Sequence, residues 1–176
     1  FLVAVGYQAL NSLTTGSDCT AVGYYAGKSL TTGSKNTLMG YEAGKALTTG
    51  GENSLVGWEA GKSITTANYC SAVGATALDA LTTGNNNTAF GYGALGSVTT
   101  SVQNVAVGAY ALSNNTGTKN VATGSSALFS NTSGEFNSSY GHQAGRDITE
   151  GDYNTILGAN AGNSGTNDLT TGSNSI

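Results

Sequence analysis

The chain has 176 residues, with 27 Gly, no Pro, only 9% charged residues, and a formal net charge of −4 at a pI near 4.6. That balance argues against nucleic-acid binding, which draws on a clustered basic face. It also lacks any apolar run near the roughly 18–20 residues of a membrane-spanning helix, the longest ordinary one being FLVAV at 1–5.

In chain order the sequence is one pattern repeated over residues 1–176, read as a single domain. The pattern is clearest in AVGYYAGKSLTTGSKN (21–36), LMGYEAGKALTTGGEN (38–53) and LVGWEAGKSITTANYC (55–70). A corner Gly stands at Gly6, Gly23, Gly40, Gly57, Gly74, Gly91, Gly108, Gly124, Gly141 and Gly158, spaced by 17 residues except for 16 between Gly108 and Gly124. Three residues after each comes an Ala, from Ala9 and Ala26 to Ala161. Seven after it usually comes Leu, Ile or Val, then Thr-Thr and a second Gly. No basic stretch followed by an apolar segment opens the chain. It starts at Phe1 and stops at Ile176 in mid-pattern, and so reads as a piece of a longer protein.

Seventeen residues are too few for a helical hairpin, and Gly beside β-branched residues disfavours helix. The spacing predicts an all-β parallel β-solenoid, or β-roll, of about ten coils, with short strands such as NTLMGY and KSLTTG joined at Gly corners. Stacked at the ~4.8 Å strand spacing, these coils make a rod roughly 45 Å long. The coil from Gly108 to Gly124 loses a residue, and AGNSGTNDLTTG (161–172) gains about four before the pattern returns, with the irregularity at 162–169. In the second half NNTG and NTSG replace LTTG.

Four residues before the corner Gly stand Asn36, Asn53, Asn87, Asn104, Asn120, Asn137 and Asn154, with Cys19 and Cys70 in two coils. An Asn at the same place in every coil can bond its amide along the stack, as in other cross-β arrays. The two Cys read as structural substitutes. They are three coils, or about 14 Å, apart, beyond the ~7 Å Cα separation of a disulfide.

Leu38–Met39 and Ala21–Val22 are adjacent apolar pairs in predicted strands. Because side chains alternate faces, one member fills the coil and the other needs a second surface. The residue just before the Gly, as in Val22, is assigned to the core, and burial of the remaining face predicts an oligomer.

Chemistry is hard to find. Catalysis needs convergent acids, bases or nucleophiles; here His142 is the only His and occupies the place of Tyr7, Tyr24, Tyr41, Trp58 and Tyr92 in other coils. There is no Asp-rich calcium loop, the Cys lack zinc-ligand spacing, and Gly-x-x-Ala-Gly lacks the Lys-Ser/Thr of a phosphate loop. The expectation is no enzyme, no cofactor and no metal. Candidate recognition residues are the aromatic row Tyr7, Tyr24, Tyr41, Trp58 and Tyr92, and the basic row Lys28, Lys45 and Lys62, with Arg146 in phase. The aromatic row reads first as a corner ladder and second as a sugar platform. Glu42 and Glu59, three residues before Lys45 and Lys62, favour a solvated ion-pair face over an anion-binding strip. The Thr pairs raise ice binding, but adjacent Thr point to opposite faces and the rank decays after Thr100.

NTAFGYGAL (87–95) and NTLMGYEAGKALTTG (36–50) resemble the tandem Asn-Thr-Ala-x-Gly-Tyr-x-Ala-Leu/Gly repeats of phage tail-fibre and related virion fibre proteins, across essentially the whole chain. They are more distantly similar to the head repeats of trimeric autotransporter adhesins. The 17-residue coil and the lack of an adhesin neck motif favour the phage fibre. The resemblance implies a homotrimeric fibre segment on a virion, acting as spacer and host-attachment element toward a cell-surface glycan or protein. Its alternatives are an extracellular adhesin head or, in another class, an ice- or glycan-binding module.

Overall fold

The computed structural model describes residues 1–163. It is a stack of one-stranded coils: β1 (Leu2–Val5), β2 (Cys19–Val22), β3 (Thr37–Met39), β4 (Ser54–Val56), β5 (Ser71–Val73), β6 (Thr88–Phe90), β7 (Val105–Val107), β8 (Val121–Thr123), β9 (Ser138–Tyr140) and β10 (Thr155–Leu157). All ten strands form one parallel sheet in chain order. Thr37, Leu38 and Met39 pair with Ser54, Leu55 and Val56, so equivalent repeat positions lie in register. Register survives the shortened coil, where Val105 pairs with Val121. The parallel β-solenoid with coils of about 17 residues is therefore as the periodicity predicts, and the ten strands bound nine turns.

KSLTTG, however, is not a strand. The arc after each Gly closes as a series of turns, with Lys28 N–H donating to Tyr25 C=O at 3.2 Å and Leu30 N–H to Gly27 C=O at 3.0 Å. The same arc still bonds along the stack, as in Gly27 N–H to Ala43 C=O (3.0 Å) and Thr31 N–H to Thr48 C=O (2.8 Å). Stacking, rather than extended geometry, supplies the ladder in this part of the coil.

The core is a column of three main ranks. One is the middle residue of the strand (Ala21, Leu38, Leu55, Ala72), one the Ala three after the corner (Ala26, Ala43, Ala60), and one the aliphatic residue seven after it (Leu30, Leu47, Ile64), all fully buried. The assignment of Val22 to the core is overturned: Ala21 is buried and Val22 is half-exposed on the outer face of β2. Strand alternation permits one of each adjacent pair inside, and the inner one precedes the Gly by two residues.

Volume is matched between two places in the coil, the mid-strand residue and the residue four after the corner. Where the strand supplies Leu38 or Leu55, the later residue is Gly44 or Gly61; where it supplies Ala72, Ala89, Ala106 or Ala122, the later residue is Leu78, Leu95, Leu112 or Leu128. A Cβ on Gly61 would lie 2.8 Å from Leu55 Cδ1 and 2.8 Å from Ile64 Cδ1. Two coils are small at both places, Ala21 with Gly27 and Ser139 with Gly145, and neighbours fill them. Leu38 and Leu10 reach over Gly27, and Ile156 and Leu128 over Gly145. Ser139 satisfies its hydroxyl by donating to Ala144 C=O at 2.7 Å. Native packing density is thus reached by sharing volume within and between coils.

The corner glycines have φ between +118° and +142°. At Gly40, with φ +134°, a Cβ would also stand 2.3 Å from the carbonyl oxygen of Gly57, so both backbone conformation and close approach require Gly there. Many other left-handed residues are not glycines. Lys35, Glu52 and Tyr69, equivalent in successive coils, have φ of 58–59°, as do Leu78 (55°) and the β-branched Thr76 (54°) at other places. Each carries a left-handed cost of about 1–2 kcal/mol that the stacked hydrogen bonds hold in place.

The Asn ladder forms as expected. Asn53 N–H and Nδ2 both donate to Asn36 Oδ1, at 3.0 and 3.1 Å, while Asn53 Nδ2 also reaches Ala67 C=O at 2.9 Å. Equivalent backbone-to-amide bonds join Asn87 to Asn104, Asn104 to Asn120, Asn120 to Asn137, and Asn137 to Asn154 at 2.9–3.1 Å. Cys19 and Cys70 are buried free thiols. Their thiols reach the carbonyls that Asn bonds in the equivalent coils, Cys19 Sγ being 3.5 Å from Gly33 C=O and Cys70 Sγ 3.4 Å from Gly84 C=O. A thiol copies the donor half of the amide but offers no carbonyl oxygen to the next coil.

The residue missing between Gly108 and Gly124 is one of the two Thr that precede the second Gly elsewhere. Thr116 N–H donates to Thr132 C=O at 2.7 Å, which keeps the first Thr in phase, and Gly117 follows directly. Because the absent residue belongs to an exposed rank, every inward rank stays aligned. Here Asn115 and Asn131 replace the aliphatic residue of the core and bond each other, Asn131 Nδ2 to Asn115 Oδ1 at 2.7 Å. The insertion expected at 162–169 begins at the end of the described residues and lies largely outside them.

Candidate interaction surfaces

The outer face of the sheet carries a rank of one residue per coil, apolar or aromatic except for Thr123: Val5, Val22, Met39, Val56, Val73, Phe90, Val107, Thr123, Tyr140 and Leu157. Met39 is 41% exposed, Phe90 43% and Leu157 80%, although these are among the larger side chains of their strands. A contiguous apolar strip on a monomer marks an interaction site. It is the unburied second face implied by the adjacent apolar pairs.

The aromatic row flanks this strip, two residues further along each coil. Tyr7, Tyr24, Tyr41 and Trp58 stack continuously, with ring centroids 5.3, 5.3 and 6.2 Å apart and interplanar angles of 18°, 4° and 11°. Tyr92 is separated from them by Ala75 and instead meets Tyr110 edge-on at 5.1 Å. The rings remain 41–59% exposed. Each is supported by its neighbours, as in a ladder, while its outer edge stays open. A hydrogen bond with Tyr25, followed by partial burial and the neighbouring phenols, pushes the Tyr24 hydroxyl up to about 12. His142 takes the same place eight coils after Tyr7 and is exposed.

Within the basic row Lys45 and Lys62 form the expected ion-pair face. Lys45 Nζ lies 2.8 Å from Glu42, and Lys62 lies 3.0 Å from Glu59 and 3.4 Å from Glu42. The Glu42 carboxyl is held below its ordinary value by its hydrogen bond from Lys45, against the opposing effect of burial, and by the charges of Lys45 and Lys62. Lys62 is correspondingly raised, chiefly by its hydrogen bond to Glu59. Lys28 has no such acid three residues before it and sits 4.1 Å over the Tyr25 ring.

The Thr pairs split between two environments, although they lie in bends and not in a strand. Thr31, Thr48, Thr65 and Thr82 donate their hydroxyls to the next coil's carbonyl at 2.9–3.1 Å. Thr32, Thr49, Thr66, Thr83 and Thr100 are exposed. One rank is thus occupied by the ladder, and the exposed rank is interrupted by the deletion before Gly117.

A second aromatic rank was not legible as such. Tyr69, Phe136 and Tyr153 share the coil position of Lys35 and Glu52, and Phe136 stacks on Tyr153 at 4.8 Å and 7°. Their five-residue offset from the corner Gly was the available signal, diluted by Lys, Glu, Asn and Gln in the other coils. Among the described residues no group of three or more His, Cys, Asp or Glu could hold a metal ion, and no helix is long and apolar enough to cross a membrane. No protein-family model, curated protein or solved structure matches the chain.

Proposed function

We propose that the chain is a rigid segment of a homotrimeric virion fibre of the phage-tail type, in which three solenoids pack along their outer sheet faces. The observation that carries this reading is the largely apolar rank from Val5 to Leu157, in which Val5, Met39, Val73, Phe90, Val107, Tyr140 and Leu157 are exposed and Val22, Val56 and Thr123 half-buried. At ~4.8 Å per coil the rank is about 43 Å long. A strip of that length and the flanking aromatic row offers on the order of the ~800 Å² per partner of a standard interface. Parallel in-register strands make the rod stiff, and polar surface positions that vary between coils are free to carry recognition. The three-fold number and the virion setting come from the resemblance of the repeat, not from the geometry. Native mass spectrometry tests the assembly: a species of three 17.5 kDa chains supports it, and a stable single chain sinks it.

A further inference from the structure

The face that carries the lysines changes character late in the stack. In the coils that begin at Gly40 and Gly57 the cation there has an acid three residues before it, and Glu42–Lys45 and Glu59–Lys62 close at 2.8 and 3.0 Å. In the coil that begins at Gly141 the same two places hold Gln143 and Arg146. Among the described residues no carboxylate lies within ion-pair distance of the exposed Arg146 guanidinium.

One coil earlier, Phe129 occupies the place of Arg146 and Ser126 the place of Gln143; another coil back, Tyr110 stands in that second row. The small Ser126, between Tyr110 and Gln143, leaves a surface cavity of about 270 Å³ lined by Tyr110, Ser126, Phe129, Gln143 and Arg146. Tyr110 and Phe129 meet at 6.4 Å and 78°, so two aromatic walls stand at right angles.

We propose that this notch binds a carboxylate-bearing sugar unit of an acidic glycan. At ~30 Å³ per water the cavity holds about nine waters, the bulk of one monosaccharide. An aromatic face receives the C–H face of a pyranose, the Ser126 hydroxyl and Gln143 amide can both donate to and accept from ring hydroxyls, and a guanidinium with no carboxylate partner among the described residues matches a ligand carboxylate with two parallel bonds. The net charge of −4 disfavours a dense polyanion, so a ligand with one isolated charge per sugar fits better. None of the lining residues belongs to the apolar strip, although Tyr110 meets Tyr92 of the flanking aromatic row, and a monomeric chain would carry the site equally.

The test is saturation-transfer NMR of the chain with D-glucuronate, using D-glucose and acetate as comparators. Transfer to the glucuronate ring protons is expected to exceed that to glucose, with acetate a poor competitor. Arg146→Gln should weaken binding about tenfold. Ser126→Tyr, which places there the residue already present at Tyr25 and Tyr110, should abolish it, whereas Lys28→Gln should leave it unchanged. Circular dichroism and thermal melts of the variants establish that the stack is intact. Absence of transfer to glucuronate overturns the proposal. So do equal signals from glucose, equal competition by acetate, or binding that survives both notch substitutions.

Discussion

The matched volumes inside the coil make a quantitative prediction. Leu55 is fully buried and reaches to within 2.8 Å of where a Cβ on Gly61 would lie. Leu55→Ala alone should cost about 3 kcal/mol, in the lower part of the range for a buried Leu that leaves a cavity. Gly61→Leu alone forces a side chain into space held by Leu55 and Ile64 and should cost about 2 kcal/mol. Together they convert the coil to the Ala72/Leu78 arrangement of the coil that follows it. Leu78 already adopts φ 55° there, against 56° for Gly61, so the backbone admits a Leu. The double variant should therefore lie within about 1 kcal/mol of the parent, a coupling of about 4 kcal/mol where independent sites add. Reversible denaturant unfolding at one fixed protomer concentration measures all four proteins. A double variant that loses about 5 kcal/mol, the additive value, would refute the shared-volume account.

Two further outcomes follow from the ladder and the ion pairs. Cys70→Asn restores an amide oxygen where the next coil presents the N–H of Asn87, and should stabilise the fold by about 1 kcal/mol, the net value of one internal hydrogen bond; a loss of stability in denaturant unfolding would show that the thiol is there for packing. Glu42 has a folded-state pKa below its ordinary 4.5, so its contribution is fully present above pH 4.5 and fades as pH falls through the folded value. The thermal midpoint of Glu42→Gln should therefore approach that of the parent as pH falls below 4.5, and a gap that stays constant with pH would remove Glu42 from that role.

Much of this fold was legible because it depends on side chains recurring at one place in each coil. Asn36, Asn53 and their equivalents announce a ladder, and Leu38 beside Met39 announces an apolar residue on each face of the strand. Which member of the pair points inward was not legible: Val22 is bulkier than Ala21, yet Ala21 is inside because its space is shared with neighbouring coils. The left-handed residues were hidden for another reason. Tyr25, Lys35 and Leu78 have no intrinsic preference for positive φ, and only the stacked backbone places them there. KSLTTG has the β-branched composition of a strand, but the turns closed by Lys28 and Leu30 bend it before it can extend. The surfaces divided likewise. Lys45 and Lys62 gave away their pairing through the Glu spacing, whereas the Arg146 notch depends on residues from three coils that no single repeat displays together.

The lateral association of copies through the outer sheet face is tested most directly by sedimentation equilibrium on the parent chain beside Phe90→Glu. Phe90 is 43% exposed on that face and contributes nothing to the buried column, so the charge should leave the coil intact while opposing burial between chains. The account predicts a parent mass three times the 17.5 kDa of the chain, falling toward a single chain in the variant. A parent that sediments as one chain, or a variant that assembles as the parent does, would contradict it.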